Sequence, residues 1–295
     1  MRSGCGLDDD TFKALSRRSD VKGLVHLSMH VAALAVAGVL VAKSSSSIWL
    51  LPTMFLLGVL LVFLFAPLHE CIHGSAFRSS GLNRAVSLLC GLVLLLPPRY
   101  FRAFHFAHHR FTQDVQRDPE LSRGRPANLR DYLWRVSGLP YWGERIATTL
   151  KHARGQIEEC FIPAAQRGAI VQEARWLWGC YIAAAVLSLT LQSTAVVIYW
   201  LLPVALAQPV LRLYLLAEHT GCPNIADMLA NSRTTKSNAL VRALAWNMPY
   251  HAEHHRYPSL PFHALPKAHG YLVQYINAQA SGYVRVHRDL ISDLV

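Results

Sequence analysis

Four stretches of this 295-residue chain, 24–42, 48–68, 174–191 and 195–217, are long and nearly free of charge, and they restrict the fold more than any other feature. A helix needs about 20 mostly apolar residues to cross the hydrocarbon core of a bilayer. Inside lipid only helices and closed barrels satisfy their own backbone. The links are short, KSSSS after the first run and TLQST after the third, and links of that size join antiparallel neighbours. The expected fold is therefore an all-α integral membrane protein with four transmembrane helices in two hairpins.

Two hairpins leave segments 1–23, 69–173 and 218–295 on one face. Of the 29 Lys and Arg residues, only Lys43 falls on the other face, with Arg175 and Arg212 inside or near spans. Basic loops stay in the cytoplasm, so the shared face is read as cytoplasmic, on the inner membrane if the source is bacterial. That bias also accounts for the net charge of +11 without a nucleic-acid partner. Hydrophobic residues make up 52% of the chain and charged ones 16%, yet the mean hydropathy is only +0.22. The spans must be balanced by a substantial polar cap, expected to be helical. No repeat or linker marks a second domain, so residues 1–295 are read as one.

Three segments need separate readings. SRRSDVK, residues 16–22, looks like a twin-arginine export signal. Asp20 stands where such signals prefer an apolar residue, and the run that follows exceeds the about 7–15 residues of a cleaved signal. It is read as the first span, anchored by Arg17, Arg18 and Lys22. The run AVSLLCGLVLLL, 85–96, is closed by Pro97 and Pro98 and is short for a span, so it is expected to be re-entrant or interfacial. Between 127 and 175, Tyr132, Trp134, Tyr141 and Trp142 stud patterns of short amphipathic helices, suited to the headgroup level or to a packed cap. The six cysteines form no C-x-x-C pair, so neither a disulfide scaffold nor a zinc ribbon is indicated.

Eight of the 15 histidines fall in three clusters: HECIH at 69–73, HFAHH at 105–109 and HAEHH at 251–255. Residues three and four apart share one face of a helix. His69 and His73 therefore form one imidazole patch, His105, His108 and His109 a second, and His251, His254 and His255 a third. A single such patch is ordinarily structural. Three on one side of a membrane protein, packed together, would repel on protonation unless something bridges them. A metal is the natural bridge, and eight imidazoles exceed what one tetrahedral zinc uses. Two metals sharing them is the economical reading. Imidazole suits iron, copper, nickel and zinc alike, so spacing does not name the element.

The order H-x-x-x-H, H-x-x-H-H, H-x-x-H-H around four spans resembles the membrane fatty acid desaturase family. HECIHG, HFAHHRFTQDVQRDPE, LAEHTG and NMPYHAEHHRYPSLP are similar to its bacterial acyl-lipid members along nearly the whole chain. The resemblance implies a non-haem di-iron centre held by the three boxes and a ninth histidine, here His219, with molecular oxygen as co-substrate. It also implies that Asn247 holds a metal-bound water; read from the residues alone, Asn247 is a helix N-cap with Pro249 just inside the helix. Glu70, Asp114, Asp118, Glu218 and Glu253 are candidates to orient the metal-bound rings, since such rings usually donate their second N–H to a carboxylate.

The implied activity is desaturation of a fatty acyl or related lipid chain, with hydroxylation or carotenoid ketolation on the same scaffold as the alternative. The boxes do not separate these outcomes. No haem or iron–sulfur motif occurs among the cysteines, so a separate electron donor, a ferredoxin or a b-type cytochrome, is expected. A histidine-rich metal transporter would place its ionisable groups within the spans, and a zinc hydrolase needs fewer imidazoles. His26, His30, His152, His263, His269 and His287 receive no role; His26 and His30, one turn apart in the first span, are expected to hydrogen-bond between helices.

Overall fold

The computed structural model describes residues 6–295; Cys5 lies outside them. The chain begins with α1 (Asp9–Leu15), then α2 (Asp20–Lys43), α3 (Leu50–Val62), α4 (Phe65–His73), α5 (Ser80–Leu94) and α6 (Pro98–Phe111). There follow α7 (Leu129–Val136), α8 (Leu139–Ala153), α9 (Ala164–Thr190) and α10 (Leu202–His219). The C-terminal part holds α11 (Met228–Asn231), α12 (Ala239–Leu244), α13 (His251–Arg256), α14 (Leu265–Leu272) and α15 (Tyr283–Ser292). One departure from an all-helical chain is a parallel pair of two-residue strands, Thr234–Thr235 beside Gln279–Ala280.

Three helical runs are long and apolar enough to cross a membrane, Asp20–Lys43, Leu50–His73 and Val197–His219. Their outward faces are apolar: on α2, Val21, Met29, Val36 and Val39 are all exposed, which suits contact with lipid tails. Helix α2 starts where the Ser19 side chain accepts from the Lys22 amide. Asp20 beside it accepts the Ser79 amide at 2.8 Å, tying the entry of α2 to that of α5.

Two of the expected spans differ in extent or apolarity from the helices that contain them. The second was expected to end at Leu68, with His69 and His73 beyond it. Nothing after Leu64 breaks the helix, so it runs on to His73 and closes at Gly74, whose φ of +69° suits glycine. The expected span 174–191 is the later part of α9, a 27-residue helix that falls short of the apolarity of the other three. By length and composition, α5 and α6, bent at 93°, count as a further crossing if taken as one broken run.

That bend is built from local chemistry. Leu95 adopts a left-handed φ of 53°, and Pro98, lacking an amide hydrogen, opens α6. Gly91 permits it: a Cβ there would lie 2.6 Å from the Leu96 carbonyl oxygen and 2.8 Å from Pro98 Cδ. The turn closes the segment expected to be re-entrant or interfacial, 85–96, and sends α6 back along α4; its angle fits a broken span or a re-entrant loop. Phe101 packs on Phe65, and His105 reaches His69 with ring centroids 4.4 Å apart. A second close approach joins α3 to α10, where a Cβ on Gly58 would stand 2.0 Å from the Pro203 carbonyl oxygen.

The aromatic segment divides. Tyr132 on α7 is buried and bonds His287 at 2.9 Å, while Trp134 is exposed. Outside the clusters, His30 Nε2 meets the Leu60 carbonyl of α3 at 2.8 Å, and His26 Nε2 meets the Ala243 carbonyl at 2.6 Å, beyond the spans.

Candidate metal centre

Five imidazoles, His69, His73, His105, His109 and His254, have nitrogens within 4.8 Å of one another, and so do His108, His219 and His255. The elements explain the convergence. Helix α4 carries the first pair on its last turn, α6 presents three rings along its inner face, α13 presents three more, and α10 ends on His219. His251 joins the second group through His219, with the two Nε2 atoms 2.8 Å apart. All nine histidines singled out in the sequence therefore lie together, and His69, His105, His108, His251, His254 and His255 are buried.

Hydrogen-bond partners fix how the rings point. His108 Nδ1 donates to Asp118 Oδ1 at 2.9 Å, and His219 Nδ1 donates to the Asn231 carbonyl at 3.2 Å. Nε2 of each ring is then the nitrogen turned toward the other ring. Those two Nε2 atoms are 3.1 Å apart. A metal cation between them would take a lone pair from each; without one, a proton on either Nε2 makes the same pair a hydrogen bond. His255 follows the same pattern: Nδ1 lies 3.3 Å from Thr112 Oγ1, and Nε2 is buried with no partner. In the larger group both ring nitrogens of His69, His73 Nε2, and Nδ1 of His105, His109 and His254 are likewise buried without partners. Burial and the neighbouring imidazoles hold His251, His254 and His255 well below the ordinary value of 6.5, which keeps these rings neutral. Neutral imidazole is the ligating form, so the donor set fits cations, one in each group.

The carboxylates sort themselves. Asp118 is buried and orients His108 as expected. Glu218 Oε1 lies 3.3 Å from His251 Nδ1 without the alignment of a hydrogen bond. Glu70 takes Ser75 Oγ at 2.8 Å and the Phe262 amide at 3.0 Å, so it joins loops rather than rings. Glu253 is bonded to His269 and to Thr234 Oγ1, supporting α13 from behind. Asp114 is a correction: it pairs with Arg117 and touches no imidazole, because its loop turns outward after α6. Asn247 does not cap α13, since Tyr250 precedes that helix, and the Asn247 amide donates to the Phe262 carbonyl at 3.2 Å.

Sequence reasoning missed Thr112, the Asn231 carbonyl and Glu120, whose Oε2 stands 3.7 Å from His108 Nδ1. It also missed Gln113, which donates to the His219 carbonyl at 2.7 Å. Only Glu120 carried a signal, two residues after Asp118. A cavity of about 270 Å³ opens onto the rings. Phe65, Phe101, Phe104 and Leu215 give it an apolar wall, and Glu120, Tyr141, Arg145 and Arg212 a polar one.

Bilayer-length helices around two groups of closely packed imidazoles define a polyhistidine membrane protein. Comparison with known proteins narrows this: the fatty acid desaturase family model matches residues 12–287, so the chain belongs to that family, whose members are oxidoreductases. It is 27% identical to a dihydrorhizobitoxine desaturase of Bradyrhizobium elkanii, covering 92% of this chain and 79% of that one. It is 25% identical to an sn-1 oleoyl-lipid 12-desaturase of Picosynechococcus sp., covering 76% of this chain and 69% of that one.

Proposed function

We propose that the protein is an oxygen-dependent desaturase that holds two irons and forms a double bond in a fatty acyl or related chain. The whole of 1–295 acts as one domain, with its centre on the cytoplasmic side and its electrons drawn from a separate donor. The observation that carries this reading is the convergence of the His108, His219 and His255 nitrogens in one group beside a second, five-ring group. Two irons, when bound, supply the oxygen activation and electron transfer that an inert C–H bond requires.

The chain's own residues do the rest. His108, His219 and His255, with His251 beside them, hold one ion; His69, His73, His105, His109 and His254 hold the other. Asp118, Thr112 and the Asn231 carbonyl fix the ring orientations. Burial excludes water around the rings, which protects reactive species from side reactions. The wall formed by Phe65, Phe101 and Leu215 seats an apolar chain beside His69 and His105. The names of both relatives support desaturation over hydroxylation.

The test is expression in a host that supplies a ferredoxin or b-type cytochrome, followed by profiling of lipids and acyl metabolites. A product lighter by two hydrogens is expected, absent with His254→Ala. A product heavier by one oxygen would mean a hydroxylase on the same scaffold.

A further inference from the structure

The polar lining of the cavity contains a guanidinium with no carboxylate in ion-pair contact among the described residues. Arg212 lies on α10, seven residues before His219, about 10 Å along the helix axis. Its guanidinium packs 4.1 Å from the centroid of the Tyr141 ring. Among the described residues it makes no ion pair, and its Nε is buried with no hydrogen-bond partner. Arg145 packs against the same ring at 6.0 Å and is itself 6% exposed. Its one ion pair is with Glu144, at 3.1 Å, and Glu144 is shared with Arg123 at 3.3 Å.

Other guanidiniums around the cavity are satisfied from within. Arg125 bonds Gln113, Asn224 and the Cys222 carbonyl, and Arg135 bonds Asp131 and loop carbonyls. Glu120 and Glu218 attract Arg212 only at longer range, since they stand closer to the imidazoles, at 3.7 Å from His108 and 3.3 Å from His251. An enclosed cation without a close counter-ion is costly. A bare hydrocarbon laid against it would deepen that cost, whereas an oxyanion would remove it. The guanidinium fork matches carboxylate and phosphate oxygens in pairs.

We propose that Arg212 and Arg145 form a subsite for an oxyanion on the substrate, a carboxylate or a phosphate, so that the substrate is an anionic amphiphile whose head enters the cavity. This rests on the reading above that the cavity seats the substrate. It places the attacked carbon close to the charged group, since both arginines line one cavity with His69 and His105, a restriction that a neutral-headed lipid attacked far along its chain does not meet.

The test uses the metal-loaded protein in phosphatidylcholine nanodiscs, titrated with laurate, dodecyl phosphate and dodecanol, with empty nanodiscs subtracted. Laurate or dodecyl phosphate should raise the unfolding temperature, and dodecanol should not. Arg212→Gln and Arg145→Gln should each weaken the charged probe about tenfold or more, while Arg123→Gln leaves it nearly unchanged. The stronger of the two charged probes assigns the head as carboxylate or phosphate, and competition by phosphatidylglycerol in the nanodisc would assign it to a membrane lipid. Dodecanol acting as well as laurate, or both Gln variants binding like the parent, overturns the proposal. Should Arg212→Gln fail to insert, Arg212→Lys replaces it, and unchanged binding there and in Arg145→Gln is equally fatal. Iron content measured on the same samples separates the two readings, since loss of anion binding with full iron leaves the di-iron assignment standing.

Discussion

At the scale of single residues, a few hydrogen bonds outside the histidine clusters turn nitrogen-rich chain into paired donor sets. Asp118 is the clearest case, because its bond to Nδ1 aims His108 Nε2 at His219 Nε2. Asp118→Asn should lower metal affinity about 10- to 100-fold while leaving the fold intact, measured by competition with a calibrated chelator. The rings also predict a pH dependence. His251, His254 and His255 sit well below 6.5 in the folded protein, so as pH falls through 6.5 the unfolded chain takes up protons that the folded one refuses. Metal-stripped protein should therefore lose stability from about pH 7 towards acid, seen as a falling unfolding temperature; a flat profile would mean that the rings protonate freely in place. The nine histidines were legible because spacing alone assembles three patches, and the family resemblance added His219. Thr112 and the Asn231 carbonyl were not, since a hydroxyl and a backbone oxygen acquire this role only through tertiary contact.

The helices are where sequence reasoning was strongest and where its errors have plain causes. Apolar runs announced α2, α3 and α10, yet the end of the second span was drawn at the first polar residue, although helix continues through His69 and His73. Polarity marks the edge of lipid, not the edge of a helix. Asp114 misled for a similar reason: nearness in sequence to His109 said nothing about the outward turn that follows α6. Packing between elements leads to a contrast between two glycines in spans. Gly58→Ala would press a Cβ into the Pro203 carbonyl, whereas Gly38→Ala meets nothing within 4 Å. The first should destabilise the protein by about 1–3 kcal/mol and the second hardly at all, as judged by denaturant titration in bicelles. Equal stability of the two variants would remove the close approach of α3 and α10.

Across the whole molecule, the bend between α5 and α6 keeps the boxes together, because a straight crossing would have put His105 on the opposite side from His69. The sequence left this joint open, since Pro97 and Pro98 signalled a break without its angle. The proposed cytoplasmic placement of the boxes is tested by labelling: with Ser45→Cys and Arg117→Cys compared over the parent background, an impermeant thiol reagent should reach the first from outside intact cells and the second only after permeabilisation. The central claim is that these imidazoles share two irons, and counting metals tests it most directly. Elemental analysis of the purified, membrane-inserted protein should give two irons per chain, falling sharply in His108→Ala and in His73→Ala. A single zinc per chain, or iron content indifferent to both substitutions, would contradict it.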